Sequence, residues 1–460
     1  MADVVVLGAG PAGLAAAWRA ARTGMRVTVL ERAGTVGGLA GSFEVAGVRV
    51  DYGSHRLHPS TPAPILADLR ELLGDDLQLR PRDGRLRVAG RWVGFPLRPT
   101  ELLRRLPPGM LVRMGAEAAA GPLRRPSDSY AGVLRAGLGP TLYAQLYGPY
   151  ARKLWGVDGE EIDAEQARRR VTADTPGKIA ARMLRRRRDG QGRGFHYPRQ
   201  GFGQLAEALA AAAAAAGAEL RLETDVERIQ AGPDGVTVST KDGWRGDAGH
   251  LFSTVPLPVL ARLTEPGPDP AVLEAAGRLR FRAMVLVYVV HEGARPWTRF
   301  DAHYLPGPAT PVTRISEPAN YRDSPRDPAD RTVLCAEIPC RVGDEVWTAS
   351  GEALADLVVE ALARHDLPPV RRGQVEVRRL PRVYPVYERG YAADLSGLDG
   401  WTRRLPRVTT FGRLGLFAHD NTHHTIAMAY DAVAALAGGD WDPAAWAAAR
   451  ERFTRHVVED

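Results

Sequence analysis

Cysteine is nearly missing: Cys335 and Cys340 are the only two in 460 residues. Their spacing and the absence of histidine nearby offer no metal site, and so few thiols in so long a chain point to a reducing, cytoplasmic setting. No run of 18 or more apolar residues occurs, so no helical membrane span is expected. The first strand pattern begins at residue 4, so no signal peptide is expected. Lysine is scarce as well. Arginine supplies most of the 61 basic groups, which face 54 acidic ones for a formal charge of +7. That balance favours anionic ligands or surfaces, though a codon bias toward Arg and Ala gives the same composition. Charged content of 25% and apolar content of 45% argue against disorder. The length exceeds one ordinary core, so two or three lobes are expected.

Glycine is plentiful, at 49 residues, and near the N-terminus it is patterned. Residues 4–7 are apolar without alternation, as in a strand buried on both faces of a parallel sheet. Gly8-Ala9-Gly10-Pro11-Ala12-Gly13 then matches G-x-G-x-x-G. Gly8 suits the tight turn, Gly10 a close backbone approach to a pyrophosphate, and Gly13 the packing of the next helix, whose first-turn amides attract phosphate. Gly24 ends that helix and residues 26–30 read as a second strand. Glu31 follows about 20 residues after the turn, where a carboxylate hydrogen-bonds an adenosine ribose and repels a 2'-phosphate. Dinucleotide binding is the expectation.

Past that carboxylate, Glu31-Arg32-Ala33-Gly34-Thr35-Val36-Gly37-Gly38 adds a glycine pair. Here the sequence resembles the large FAD superfamily of glutathione-reductase-like, amine-oxidase-like and protoporphyrinogen-oxidase-like enzymes. The resemblance implies FAD, with Gly37 and Gly38 against its pyrophosphate; Leu39 stands where many relatives carry Arg. Residues 42–45 and 48–51 read as a hairpin leading into Asp51-Tyr52-Gly53-Ser54-His55-Arg56-Leu57-His58. Taken bare, His55 is a loop hydrogen-bonder. The string looks like the Asp-x-Gly-x-His loop of UDP-galactopyranose mutases, which implies Gly53, Ser54 and His55 beside the flavin ring.

Residues 102–121 are amphipathic, and packing within their own lobe is favoured over peripheral membrane contact. Residues 130–156 read as helical with clustered tyrosines, closing as Tyr150-Ala151-Arg152-Lys153-Leu154-Trp155-Gly156. Rings interleaved with cations suit sugar-nucleotide recognition, and aromatic core packing suits the same pattern. This string resembles the mutases' Tyr-Thr-x-Lys-x-Trp-Gly element, and Ala167-Arg168-Arg169-Arg170-Val171-Thr172-Ala173-Asp174 falls where they carry pyrophosphate-binding arginines. The resemblance implies substrate contacts from Tyr150, Trp155 and one of Arg169 or Arg170. The basic run at 182–193 reads as a solvated loop or a lid over an anionic substrate; it lacks the aromatics of a nucleic-acid surface.

Phe195-His196-Tyr197-Pro198-Arg199-Gln200-Gly201-Phe202-Gly203 resembles the family's Tyr-Pro-x-x-Gly-x-Gly loop. In this superfamily Val226 would hydrogen-bond adenine through its backbone, and the turn holding Thr254 would pass close to FAD. Arg314-Ile315-Ser316-Glu317-Pro318 and Glu337-Ile338-Pro339-Cys340 resemble blocks of these relatives without an assignable chemistry. Near the C-terminus, Gly412 and Arg413 precede Ala418-His419-Asp420-Asn421-Thr422-His423-His424-Thr425. The resemblance implies that Gly412, Arg413, His423, His424 and Thr425 close over the cofactor, that Tyr387 and His419 border the substrate, and that His55, His419 and His424 move protons or tune the flavin. His419 and His423, four apart, could instead ligate a metal; none is expected, because the flavin site already demands this turn. Phe417-Ala418-His419 lacks an arginine that the mutases carry.

The expected fold is α/β: a Rossmann-like FAD-binding domain of glutathione-reductase type with an inserted α+β substrate lobe. The cofactor domain is expected from 1–75, 195–264 and 381–460, a mostly helical substrate lobe from 76–194, and its strand-rich part from 265–380. The expected activity is FAD-dependent oxidation, by hydride transfer, of a small metabolite of anionic or sugar-containing type. A redox-neutral isomerase of the mutase kind, using reduced FAD as nucleophile on a nucleotide sugar, is the alternative, and an FAD-stabilised binding protein without turnover is a third. No nucleic-acid partner is expected.

Overall fold

The computed structural model describes residues 2–97, 99–125, 127–170, 194–436 and 438–458. The Val171 to Asp174 string and the basic run at 182–193 lie outside them. Strand Ala2–Leu7 shows why its sequence does not alternate: Val4 and Val6 enter one apolar core, and Val5 and Leu7 enter another on the opposite face. It is central in a sheet ordered Thr264–Glu265, Val226–Ala231, Val236–Thr240, Arg245–Ser253, Ala2–Leu7, Val27–Leu30, Glu219–Arg221, with Val408–Thr410 also paired to Arg245–Ser253. The pairs around Ala2–Leu7 are parallel. Helices Pro11–Arg22, Gln204–Ala215 and Thr422–Ala435 cover one face, and their alanines allow close packing. This is the doubly wound α/β arrangement with ligand space at the strands' carboxyl ends.

The second sheet runs Arg372–Pro385, Phe281–Glu292, Arg331–Cys340, Arg314–Ser316, Ala302–Tyr304, Gly84–Val88, Arg91–Phe95. Its long strand Phe281–Glu292 is again buried on both faces. Ala283, Val285, Val287 and Val289 pack toward helix Gly351–Arg364; Met284, Leu286, Tyr288 and Val290 pack toward Val45, Val48 and Val50 of the Ser42–Val45/Val48–Asp51 hairpin. That second contact presses the cofactor-side hairpin onto the sheet. Tyr288 Oη donates to the Asp51 carbonyl at 2.5 Å. The buried pair Arg322–Asp327, 2.6 Å, fixes the loop after Pro318–Tyr321, and Arg322 also donates to the Arg49 carbonyl at 2.7 Å.

Element ends are set by capping and by tertiary pairing. The first helix starts at Pro11, because proline at the first helical position loses no needed hydrogen bond. The late helix begins only at Thr422, capped by Asn421, and a further helix, Pro443–Phe453, is capped by Asp442 through the amides of Ala444 and Ala445. Residues 76–170 carry strands as well as helices: Gly84–Val88 and Arg91–Phe95 extend the second sheet, and Leu77–Pro81 pairs with Gly194–Pro198. Among the described residues no helix is long and apolar enough to cross a membrane.

Burial pulls His250 down to about 3 and His303 to about 4. Both are neutral in the fold, while the unfolded chain takes up their protons below about 6.5. Stability from these groups is therefore complete above pH 6.5 and declines as pH falls toward each folded value, by about 1.4 kcal/mol per pH unit per residue. His303 sits against the edges of Trp92, Trp297 and Phe300. His303→Phe should flatten the loss of stability between pH 6.5 and 4 by about that slope, read from denaturant midpoints at each pH.

Candidate active site

The N-terminal turn is shaped as a cradle. Gly8 has φ +99°, and a Cβ at Gly13 would lie 1.9 Å from the Gly8 carbonyl oxygen, so the helix can cross this closely only without a side chain. A Cβ at Gly10 would meet nothing within 4 Å. Beside it runs Gly38, φ +53°, whose Cβ would point 3.6 Å from the Gly10 Cα, while the Gly37 amide donates to the Ala9 carbonyl at 2.8 Å. The two glycine strings therefore form the walls of one groove. The Pro11–Arg22 helix enters it from Gly10 without a side-chain cap, leaving its first amides for a phosphate.

At the groove's end Glu31 accepts from the amides of Ala9, 2.8 Å, and Ala33, 2.9 Å. The Glu223 and Thr224 amides bond back to the Ala33 and Glu31 carbonyls, which brings the turn before Val226 to the same corner. Arg32 is exposed and Leu39 half-buried in the Gly38–Ala40 turn. Across the turn, Thr254 Oγ1 donates to the Leu7 carbonyl at 2.8 Å, and a Cβ at Gly412 would lie 3.3 Å from Ala12. The groove, its open amides and its terminal carboxylate fit an adenine dinucleotide.

The Gly53–Ser54–His55 loop is held from the second sheet. Glu337 accepts from the Ser54 amide at 2.9 Å and from Arg314 Nε at 2.9 Å and Nη2 at 2.8 Å. Arg314 and Glu337 are direct cross-strand partners. A Cβ at Gly53, φ +90°, would come within 3.4 Å of the Glu337 carboxylate. Ser54 Oγ meets Tyr321 Oη at 2.5 Å, and His55 stacks on Phe202 at 5.3 Å between ring centres. Burial holds the His55 imidazole below its ordinary pKa, more than the charges of Asp51 and Glu337 raise it. Next to it, Arg56 pairs with Asp301 at 3.3 Å and donates to Tyr304 Oη at 3.2 Å.

Behind this loop stands a ring of tyrosines and arginines. Burial pushes the Tyr150 hydroxyl up, and Arg314, Tyr384, Tyr304 and Arg170 lie near enough for their charges to act on it. Tyr384 carries Arg170 at 5.2 Å and Arg413 at 4.9 Å. Lys153, pulled down to about 7 by desolvation, donates to the carbonyls of Leu305, Gly307 and Val312 and so ties the Gly148–Trp155 helix to the segment before Arg314. Trp155 is buried edge-on to Tyr130 and contributes through Arg170, 5.9 Å above its ring. Arg169 pairs with Glu165 at 2.8 Å. Tyr387 stacks on Tyr391 and donates to the Phe417 carbonyl at 2.9 Å, a packing position in the core beside the ring.

The histidines separate. His419 Nε2 donates to the Pro385 carbonyl at 2.7 Å and stacks on Tyr384, facing the tyrosine ring. Burial, then the charges of Arg170 and Arg413, keep it neutral. His423 and Thr425 are buried in the first turn of Thr422–Ala435, and Thr425 Oγ1 donates to the Thr422 carbonyl at 2.8 Å. His424 lies instead with Asp420 and His456. Burial raises the Asp420 carboxyl, but the two imidazoles outweigh it and hold it below the ordinary range. Arg56, Asp301, Tyr304, Tyr321, Tyr384 and His456 are not singled out by the sequence patterns. Arg314 and Glu337 sit in blocks whose partnership only strand register reveals.

Fold and groove together define a flavoprotein of the FAD-binding doubly wound type. The family model for flavin containing amine oxidoreductases matches residues 11–434, and the chain belongs to that family. It is 32% identical over 271 residues to the AofH protein of Mycobacterium tuberculosis (strain CDC 1551 / Oshkosh), named as a flavin-containing monoamine oxidase; the match covers 55% of this chain and 57% of that protein, little more than half its length. Reduced UDP-galactopyranose mutase superposes with a TM-score of 0.82 over 100% of both chains at 20% identity. The cyclohexylamine oxidase from Brevibacterium oxydans IH-35A superposes at 0.67, with 18% identity, over 95% of this chain and 98% of that one. The cofactor is FAD.

Two substitutions probe the cradle and the loop. Gly10→Val places a branched side chain in the groove and should yield folded protein without yellow colour, measured as flavin per chain. His55→Ala should shift the visible flavin bands or the reduction potential, because it removes a ring packed beside the loop; unchanged values would make His55 a packing residue only.

Proposed function

We propose that the protein is an FAD-dependent oxidoreductase acting on a small anionic or sugar-containing metabolite. The carrying observation is the charge around Tyr150. Arg56 lies over Tyr321, Arg314 over Tyr304, and Arg170 and Arg413 over Tyr384, with Arg314 and Arg170 also acting on Tyr150, and two carboxylates, Asp301 and Glu337, pair with Arg56 and Arg314. Guanidinium groups of this cluster suit the negative groups of an anionic substrate. The tyrosine faces suit a sugar or base.

Bound FAD supplies a two-electron acceptor of hydride. The chain's own part is to grip and orient. Gly10, Gly38 and Glu31 hold the dinucleotide, Glu337 fixes the Ser54 amide, and the arginines fix the substrate's negative groups. Neutral His55 and His419 each offer a nitrogen for a proton. Segments 1–75, 195–264 and 381–460 serve the cofactor in this reading, and 76–194 and 265–380 the substrate. The free buried thiols Cys335 and Cys340 support a cytoplasmic setting.

A second reading, redox-neutral rearrangement of a nucleotide sugar on reduced cofactor, draws support from the full-length superposition on reduced UDP-galactopyranose mutase. Anaerobic visible spectra of the holoenzyme, taken while fractionated metabolite extract is added, separate the two. An anionic fraction that bleaches the oxidised flavin band is the expected result. Bleaching by amines alone overturns the anionic assignment. If no fraction bleaches the band and a nucleotide sugar rearranges only after chemical reduction, the second reading replaces the first.

A further inference from the structure

Helix Pro108–Ala119 packs into its lobe by one face and leaves the other bare. Met110, Leu111 and Met114 join Leu106, Leu146 and Tyr304 in one apolar cluster. On the far side Val112, Gly115, Ala116 and Ala119 are exposed at the i, i+3, i+4, i+7 spacing of one helical stripe. A surface helix normally carries polar or charged residues on that side. Here Arg113 is the one charged residue of the helix that is exposed, because its only acid, Glu117, is engaged by Thr141, accepting from the amide at 3.0 Å and from the hydroxyl at 2.6 Å.

The neighbouring elements continue this character. Leu103 on the Pro99–Arg105 helix is 66% exposed, Val112 73% and Leu123 in the Gly121–Leu123 turn 86%; the last two are the most exposed large apolar side chains among the described residues. Arg104, Arg105, Arg113 and Arg125 are exposed and Arg124 is half-buried. Arg105 stands 3.8 Å from Glu101, a carboxylate already held by Arg85 at 2.8 Å. Arg113 and Arg124 donate to backbone carbonyls, of Gly109 and Arg135, and among the described residues no carboxylate pairs with Arg104, Arg113, Arg124 or Arg125. The surface is therefore apolar and cationic, with its two acids drawn away.

We propose that this face docks the protein on an anionic lipid bilayer. Val112 and Leu123 enter the headgroup region, and the arginines meet lipid phosphates. Beside the stripe lies a cavity of about 410 Å³ lined by Pro107, Met110, Arg113, Pro140 and Ala144, among others. Its apolar walls and single guanidinium suit an amphiphile with an anionic head. A second copy of the same face is a poor occupant, because a two-fold contact sets arginine against arginine. The docking is independent of which reaction the flavin performs.

Holoenzyme is mixed with phosphatidylcholine vesicles, with and without phosphatidylglycerol, and flavin absorbance follows the protein that floats with the lipid. Flotation is expected with the anionic vesicles alone, falling as salt screens the charges. Val112→Gln combined with Leu123→Gln leaves the charge unchanged and should weaken binding about tenfold or more. Arg113→Gln should weaken it about fivefold. All three side chains are exposed, so flavin per chain should stay at the parental value. Absence of flotation with anionic vesicles overturns the proposal. So does binding that the double variant leaves unchanged, which reduces it to unspecific attraction of a chain with a formal charge of +7. A holoenzyme inert to vesicles that dimerises in sedimentation velocity, and is monomeric in the double variant, overturns it in favour of a second copy.

Discussion

The molecule is built around one carboxylate reaching across two sheets. Glu337 stands on the second sheet, yet it accepts the backbone amide of Ser54, a residue that continues from the cofactor-side hairpin. Its cross-strand partner Arg314 neutralises it, and Gly53 gives it room. Such a pair is costly to bury, and removing one partner alone leaves an uncompensated charge worth about 3–5 kcal/mol. The benefit is positional. The loop beside the cofactor groove and the second sheet take their relative placement from this contact, which the hairpin's packing on Phe281–Glu292 reinforces.

Family and electrostatics answer different questions. The family implies FAD, and the Gly8 to Gly13 turn, the Gly37–Gly38 pair and Glu31 build a groove that fits it. Arg314 and Arg170, whose charges act on Tyr150, belong to the second question. Names among the similar proteins include oxidases of amines.

Chemistry that depends on consecutive residues was legible in the sequence. The unalternating strand, the glycine turn, the carboxylate at Glu31 and the hairpin at 42–51 all follow from local steric and hydrogen-bonding rules, and the structure has them. Helix ends were less legible, because Pro11 and Asn421 set them through capping rather than periodicity. Pairings across long separations were not legible at all. Arg314 meets Glu337 through strand register, Arg56 meets Asp301 through the approach of two segments more than 200 residues apart, and His456 meets Asp420 because the last helix turns back. The Arg314 and Glu337 blocks stood out as strings, but a string does not reveal what lies opposite it.

Lys153 carries a mechanical consequence. Its ammonium is shared by three carbonyls of one short segment, a cage that a flexible side chain forms only by freezing both the helix it leaves and the loop it enters. The helix bearing Tyr150 and the approach to Arg314 therefore behave as one rigid plate. Any breathing of this region must swing the plate as a whole or leave it still and part along another seam, so Tyr150 and Arg314 keep their relative placement.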